Sequence, residues 1–135
     1  MNKPGSAFKE FFVSRGHSFA HAFNGLKYVL RTQRNAWIHA TVSVFVIALA
    51  VGLRVSIRDW AVLFLTIATV WTAEFINTAL EAVVDLASPG QHPLAKVGKD
   101  VGAAAVLLAA LASILVGLLI LGPPLWAKLQ SWLIH

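Results

Sequence analysis

The segment WAVLFLTIATVWTAEFINTALEAVVD, residues 60–85, decides the fold of this chain. Residues 60–73 carry no formal charge, which is the pattern of a helix that crosses a bilayer. Spacings of three, four and four residues then place the polar side chains on one side of a helix, forming a polar stripe of Glu74, Asn77, Glu81 and Asp85. Ionisable groups on a transmembrane helix are costly and mark sites of function. We therefore predict a membrane-spanning helix that carries an active site at one end.

The composition indicates that the rest of the chain also lies in a membrane. Hydrophobic residues make up 58% of the sequence and charged residues only 13%, against roughly 25% charged residues in soluble domains. Three apolar stretches, 36–53, 60–81 and 101–121, are near the roughly 20 residues that cross a bilayer core. We predict an all-α membrane protein with three transmembrane helices in a single domain, 1–135, the last span ending at Gly122-Pro123-Pro124. The absence of cysteine excludes disulfides and cysteine metal sites.

The N-terminal region predicts an amphipathic helix at 7–30 rather than a further span. Apolar residues recur there at helical spacing, namely Phe8, Phe11, Phe12, Phe19, Phe23, Leu26 and Leu30. Such a helix lies in the membrane interface, where it either only anchors the chain or also covers the polar stripe. A turn-rich loop at 86–98, containing Pro89 and Pro93, separates the second and third spans.

The distribution of basic residues predicts the orientation in the membrane. With three spans, residues 1–35 and 82–100 share one side and carry eight of the 11 Lys and Arg residues. The positive-inside rule places this side, with the N-terminus and the inner end of the polar stripe, in the cytoplasm. The net charge of +5 then reports topology and attraction to anionic lipids. The cations do not lie together on one soluble face, so nucleic acid is not an expected partner.

The polar stripe and the nearby lysines predict a site for magnesium and a nucleotide. Mg²⁺ prefers oxygen ligands and commonly shares them with phosphates, and packing of the second and third spans would bring Lys99 near Glu81. A remaining carboxylate could take a proton from an alcohol. Lys99 could instead form a plain salt bridge or only orient the chain in the membrane. The sequence lacks a Gly-rich phosphate loop and a protein-kinase signature, which excludes a soluble nucleotide-binding fold.

Two other kinds of site receive less support from the sequence. A proton channel would continue polar groups across the bilayer, but residues 60–73 offer only Thr66, Thr69 and Thr72. A zinc site at His17 and His21 would need further ligands that the pattern does not supply.

Three sequence runs closely resemble the bacterial diacylglycerol kinase / undecaprenol kinase family. They are EFINTALEAVVD at 74–85, HPLAKVGKD at 92–100 and AAAVL at 103–107. The resemblance covers roughly residues 15–121, with the interfacial helix and the three spans in the same order. It implies a homotrimer in the bacterial inner membrane, with cytoplasmic active sites shared between protomers. The implied activity is transfer of the γ-phosphate of MgATP to a membrane lipid alcohol.

The resemblance also implies roles for individual residues. Glu74 matches the catalytic base and, together with Asn77, the lipid-substrate contacts. Glu81 and Gln33 match the magnesium ligands. The positions that match ATP contacts are His21, Gln33, Glu81, Gln91, His92, Lys99 and Asp100. Lys99 would offset the charge that develops on the phosphate, since phosphoryl transfer depends on positioning and charge neutralisation.

Gln33 is the main departure from the family's pattern. Members that resemble this chain usually have a glutamate in a Glu-Arg-Asn run, whereas this chain has Gln33-Arg34-Asn35. An amide oxygen can bind magnesium but brings no negative charge, so we expect weaker magnesium and ATP binding, or a homologue with an impaired metal site. The segments 34–39 and 92–96 look more like undecaprenol kinases than diacylglycerol kinases. Undecaprenol is therefore the expected lipid and diacylglycerol the alternative.

Overall fold

Four α-helices make up the regular structure of the computed structural model, which describes residues 4–90 and 92–134, with side chains from Arg15 onward. In chain order they are α1 (Pro4–Thr32), α2 (Arg34–Leu53), α3 (Ile57–Ala87) and α4 (Pro93–Leu133). Every regular element in the described residues is helical, which confirms the all-α class. Gln91 lies outside these residues. The chain divides into two compact units, 1–34 and 35–135.

The first unit contains α1, which includes the segment predicted as an interfacial helix at 7–30. Phe19, Phe23 and Leu26 are exposed and share one face of this helix. His17 and His21 lie on the opposite face. Three further members of the predicted apolar face lie outside the residues whose side chains are described, namely Phe8, Phe11 and Phe12. A helix with one apolar and one polar face suits a membrane interface.

The second unit holds α2, α3 and α4, which are all long and apolar enough to cross a membrane, and this confirms the three predicted spans. α4 has 41 residues, so its length of roughly 60 Å is about twice the thickness of a bilayer core. The sequence predicts an end at Gly122, but α4 continues through Pro123 and Pro124 to Leu133. A membrane helix tolerates proline where local adjustments or neighbouring groups satisfy the freed carbonyls.

The connection between α2 and α3 is short, and its residues cap both helices. Arg54 adopts a left-handed conformation, with φ 55°, and the Val55 N–H donates to the Ala50 carbonyl at 3.3 Å. This is the hydrogen-bond pattern of a Schellman motif. Ser56 then begins α3, because its Oγ accepts from the Asp59 N–H and the Asp59 carboxylate accepts from the Ser56 N–H.

A small apolar cluster joins the three spans near this connection. Its buried members come one from each helix, namely Ala50, Leu63 and Leu121. Beyond the prolines of α4, Lys128 Nζ donates to the Gly52 carbonyl at 3.1 Å. This bond satisfies a carbonyl at the C-terminus of α2, where carbonyls lack partners within the helix. The tail of α4 is thereby attached to the end of α2.

At the other end of the bundle, α3 ends at Ala87 and α4, which begins at Pro93, packs back along it. His92 caps α4, because its Nδ1 accepts from the Leu94 N–H at 3.2 Å, and Pro93 occupies the first helical turn. α4 therefore begins inside the loop predicted at 86–98. Its first turns carry three side chains that the sequence assigns to a loop or its edge, Lys96, Lys99 and Asp100.

Candidate active site

Glu74 lies on α3 within the second unit and is only 1% exposed. Its carboxylate faces α2, where His39 Nε2 lies 3.8 Å from Glu74 Oε2. Within the described part of the chain, neither of these two atoms has a hydrogen-bond partner. A buried carboxylate is costly unless a partner compensates its charge. The contact with His39 is therefore the interaction that can stabilise the charged form of Glu74.

Asn77 lies one turn further along α3 and connects the buried carboxylate to the open end of the site. Its side chain is 7% exposed, and its Nδ2 donates to Glu81 Oε1 at 3.1 Å. Its Oδ1 has no hydrogen-bond partner among the described residues. Gly102 on α4 leaves room for this oxygen, because a Cβ at position 102 would overlap it. The amide is thus confined between two helices and keeps an unused acceptor.

Two ion pairs lie at the end of α3 and the start of α4. Lys99 Nζ is 2.5 Å from Asp85 Oδ1, and Lys96 Nζ is 2.6 Å from Asp100 Oδ2. The sequence predicts Lys99 beside Glu81, whereas in the structure its partner lies one turn further towards the end of α3. The polar stripe therefore runs from the buried interior to exposed cations.

An open groove of about 770 Å³ lies at the turn between α3 and α4. Its lining includes Asp85, His92, Lys96 and Lys99. The groove thus combines two ammonium groups with the N-terminus of α4, which is the positive end of the helix dipole. Both features favour phosphate anions.

A second groove, of about 460 Å³, lies between α3 and α4 and is mostly apolar. Its lining includes Leu65, Ile76, Leu80 and Asn77. Ligand sites commonly pair such apolar walls with a few placed polar groups. The groove therefore suits an alkyl chain whose polar end lies near the Asn77 amide.

The predicted site residues fall into separate parts of the structure. Glu74, Asn77 and Glu81 lie on α3. The other two predicted residues, Lys99 and Asp100, lie on the first turns of α4. His92 caps the same helix. All of these belong to the unit 35–135, whereas His21 and Gln33 belong to the unit 1–34 and their part in the site stays a prediction. Gln91 is outside the described residues.

His39 is the residue of this site that the sequence reasoning missed. It is the one ionisable side chain between Arg34 and Arg54, a stretch that is otherwise a membrane span. That isolation is the signal that could have identified it, because an ionisable group at membrane depth needs a partner. Which partner it has depends on how α2 packs against α3.

Comparison with known proteins identifies the family. Residues 20–121 match the family described as prokaryotic diacylglycerol kinase. The chain is 41% identical over 108 residues to the undecaprenol kinase of Bacillus subtilis, covering 80% of this chain and 88% of that protein. It is 49% identical over 110 residues to a diacylglycerol kinase of Synechocystis, covering 80% and 62% of the two chains. A diacylglycerol kinase of Helicobacter pylori is 31% identical over 101 residues, covering 70% and 79%.

The matched region includes the whole of α2 and α3, the polar stripe and the start of α4. It also includes both ion pairs and the groove between them. The family resemblance stated from the sequence is thereby confirmed. This chain belongs to the prokaryotic diacylglycerol kinase family and is a membrane lipid kinase, a phosphotransferase with an alcohol acceptor.

Proposed function

We propose that this lipid kinase transfers the γ-phosphate of MgATP to undecaprenol, with diacylglycerol as the alternative acceptor. The observation that carries the proposal is the polar stripe, which leads from the buried Glu74 to the exposed Asp85–Lys99 pair. A reaction between a lipid hydroxyl and a soluble nucleotide needs such a path from the membrane interior to water. The proposed location is the bacterial inner membrane, with the N-terminus and the site on the cytoplasmic side.

Glu74 is the proposed general base. Because it is buried in a membrane-spanning helix, it would meet the hydroxyl of a lipid rather than of a soluble alcohol. Its carboxylate takes the hydroxyl proton while the lipid oxygen forms the new bond to phosphorus and ADP leaves. The unused Asn77 Oδ1 would accept a hydrogen bond from the substrate and so orient it.

The first turns of α4 form the proposed nucleotide side of the site. Lys96 and Lys99 border the 770 Å³ groove, and a bound phosphate would compete with Asp85 for Lys99. Such an exchange places a cation on the phosphate while the transfer occurs, which stabilises the developing charge. The other proposed ATP contacts, from the family resemblance, are His21, Gln33, Glu81, Gln91, His92 and Asp100.

Glu81 is the proposed magnesium ligand. Its carboxylate accepts a hydrogen bond from Asn77, and such contacts hold a ligand in orientation. In the described residues, no three His, Asp or Glu side chains group closely enough to hold a metal alone. A single carboxylate such as that of Glu81 fits Mg²⁺, which commonly takes one or two carboxylates from the protein. Its other ligands come from phosphates, whose charge it neutralises. Gln33 is the proposed second ligand, and its neutral amide leaves an impaired metal site as an alternative.

The preference for undecaprenol rests on the likeness of segments 34–39 and 92–96 to that branch of the family. The names of the relatives divide between the two lipids, since one is an undecaprenol kinase and two are diacylglycerol kinases. The 460 Å³ groove has a mostly apolar lining, which suits the hydrocarbon chain of either lipid. The choice of acceptor therefore requires a direct assay.

We further propose that the enzyme is a homotrimer whose active sites are shared between protomers. Large apolar side chains of all three spans are exposed in the single chain, among them Phe45, Leu65 and Leu118. In a membrane these faces are covered by lipid or by other copies. This surface leaves room for the protomer contacts that the family resemblance implies.

The test offers undecaprenol and diacylglycerol in parallel to the purified protein in mixed micelles, with labelled ATP and magnesium. We expect phosphorylated undecaprenol as the main product. Glu74→Gln keeps the shape of the side chain but cannot take the proton, so kcat should fall by about 100-fold or more while ATP binding is retained. A faster reaction with diacylglycerol would support the alternative acceptor. Full activity of Glu74→Gln would refute the assignment of the base.

A further inference from the structure

The contact between His39 and Glu74 joins the proposed base to a residue to which the reaction above assigns no role. His39 is 14% exposed and Glu74 is 1% exposed. Within the unit 35–135, α2 carries no other ionisable side chain before Arg54, and residues 101–127 of α4 carry none. On α3, the next charged group along the polar stripe is Glu81. His39 is therefore the basic group that α2 presents to the proposed base.

The two facing atoms lie too far apart for a hydrogen bond, since 3.8 Å exceeds the usual donor–acceptor distance. Within the described residues neither atom has a hydrogen-bond partner, although buried polar atoms are normally satisfied. Opposite charges on the carboxylate and the ring would compensate both groups, and this requires a proton on the ring nitrogen. When the proton resides on the ring, Glu74 is a carboxylate, which is the form that a general base requires.

We propose that His39 is a positioning residue of this lipid kinase, which keeps Glu74 ionised inside the membrane and passes the proton of the reaction to water. The inference rests on the proposed role of Glu74 as general base. An imidazolium next to a carboxylate favours its charged form, and this effect is strong where water is excluded. His39 is suited to the second role because it lies in the second turn of α2, close to the end of that span.

The pair accounts for every proton in a turnover. Glu74 takes the hydroxyl proton as the bond from the lipid oxygen to phosphorus forms and the bond to ADP breaks. The His39 imidazolium then loses one proton to water, and the neutral ring takes the proton held by Glu74. The pair returns to its starting state, with Glu74 ionised and the proton on the ring. One proton, equivalent to that of the lipid hydroxyl, has been released.

Ser43 offers a matched control, because it also joins α2 to α3 but bonds to Trp71 rather than to Glu74. Trp71 Nε1 donates to Ser43 Oγ at 3.3 Å, about one turn along α2 from His39. Ser43→Ala therefore removes a contact between the same two helices and leaves the His39–Glu74 pair intact. A purely structural role of His39 would make its variants resemble Ser43→Ala.

The experiment compares His39→Gln, His39→Ala and Ser43→Ala in the mixed-micelle assay across roughly pH 6 to 9, the range in which imidazole titrates. We expect His39→Gln to lower kcat by about 100-fold, with KM for ATP and for the lipid within about twofold of the wild type. Added imidazole should restore part of the kcat of His39→Ala. The pH profile of kcat should differ between the wild type and His39→Gln, which has no ionisable ring at position 39. Ser43→Ala should keep kcat and its pH profile.

Nitrogen NMR of labelled histidine tests the pair without using activity. We expect the His39 ring to carry two protons near neutral pH in the wild type and one in Glu74→Gln, whose amide offers no charge. A ring with one proton in the wild type would overturn the inference, and so would an unchanged kcat in His39→Gln. If Glu74→Gln is inactive while His39→Gln is fully active, only this inference fails. If Glu74→Gln is active, the proposed function of Glu74 fails as well.

Discussion

At the residue scale, burial separates the roles of acidic side chains that lie on the same helix. Glu74 and Asp85 both belong to the polar stripe, but Glu74 is 1% exposed and the Asp85 side chain is 64% exposed. A carboxylate inside the membrane can meet only lipid and protein groups, so it is suited to act on a lipid hydroxyl. A carboxylate at the surface contributes little as a salt bridge and exchanges readily with other anions. Asp85 is a counterion for Lys99 in the structure, and we propose that a bound phosphate replaces it.

The neutral amide at Gln33 leads to a prediction about magnesium. Gln33→Glu should lower the magnesium concentration that gives half-maximal activity by about tenfold, equivalent to about 1.4 kcal/mol, because a carboxylate binds the cation more strongly than an amide. A magnesium titration of kinase activity at constant ATP measures this change. Gln33→Ala, which removes the oxygen, should shift the titration in the opposite direction. Three superimposable titrations would show that position 33 is not a ligand.

At the scale of helices, the close approach of α3 and α4 depends on small residues on α4. A Cβ at Gly98 would make an ordinary contact with Val84 Cγ2 at 3.7 Å, whereas a Cβ at Gly102 would overlap the Asn77 amide. Small residues allow such approach between membrane helices. The same residue that lets the helices pack therefore also positions Asn77, and through it Glu81.

We predict that Gly102→Ala impairs activity through this contact. The methyl group must either move the Asn77 amide away from Glu81 or separate the helices, at a cost of about 1–3 kcal/mol for overpacking. Activity should fall by about tenfold or more, and unfolding in a denaturing detergent should occur earlier. Gly117→Ala is the matched control on the same helix, since nothing lies within 4 Å of its added Cβ. That variant should keep its activity and gain up to about 1 kcal/mol in helix stability.

The end of α2 leads to a second prediction at this scale. Arg54 adopts φ 55°, a conformation that costs a residue with a Cβ roughly 1 kcal/mol and costs glycine little. Arg54→Gly should therefore raise the free energy of unfolding by about 0.5–1 kcal/mol. Arg54→Ala removes the same charge but keeps the Cβ, so it should not be stabilised. Equal stability of the two variants would mean that the charge of Arg54, rather than its backbone conformation, determines the effect.

At the scale of the whole molecule, one chain leaves most of the apolar surface of its spans uncovered. The apolar cluster of Ala50, Leu63 and Leu121 and the bond from Lys128 to Gly52 join the spans near one end. The polar stripe occupies the other end of α3. A trimer would cover part of the remaining surface and would bring site residues of neighbouring copies together.

Mixing of inactive variants tests the proposed sharing of sites. Glu74→Gln and Lys99→Gln should each be inactive alone, because one lacks the proposed base and the other lacks the proposed phosphate contact. If each site combines Glu74 of one protomer with Lys99 of another, equal mixing before assembly should restore about a quarter of the wild-type activity, since trimers of the two variants then form at random. Mixing after assembly serves as the control and should restore nothing. Continued inactivity of the co-assembled sample would show that each protomer supplies both residues to its own site.

The sequence by itself determined the helical class, the three spans and the family, because these depend on local properties. Apolar stretches long enough to cross a bilayer and the three- and four-residue spacing of the polar stripe can be read without knowing how the helices pack. The roles of the site residues stay predictions. Only the tertiary structure decided that Glu74 faces His39, that Asn77 lies against Gly102 and that Lys99 pairs with Asp85. Each of these contacts joins two helices, so it depends on their relative rotation and translation, which the periodicity of neither helix specifies.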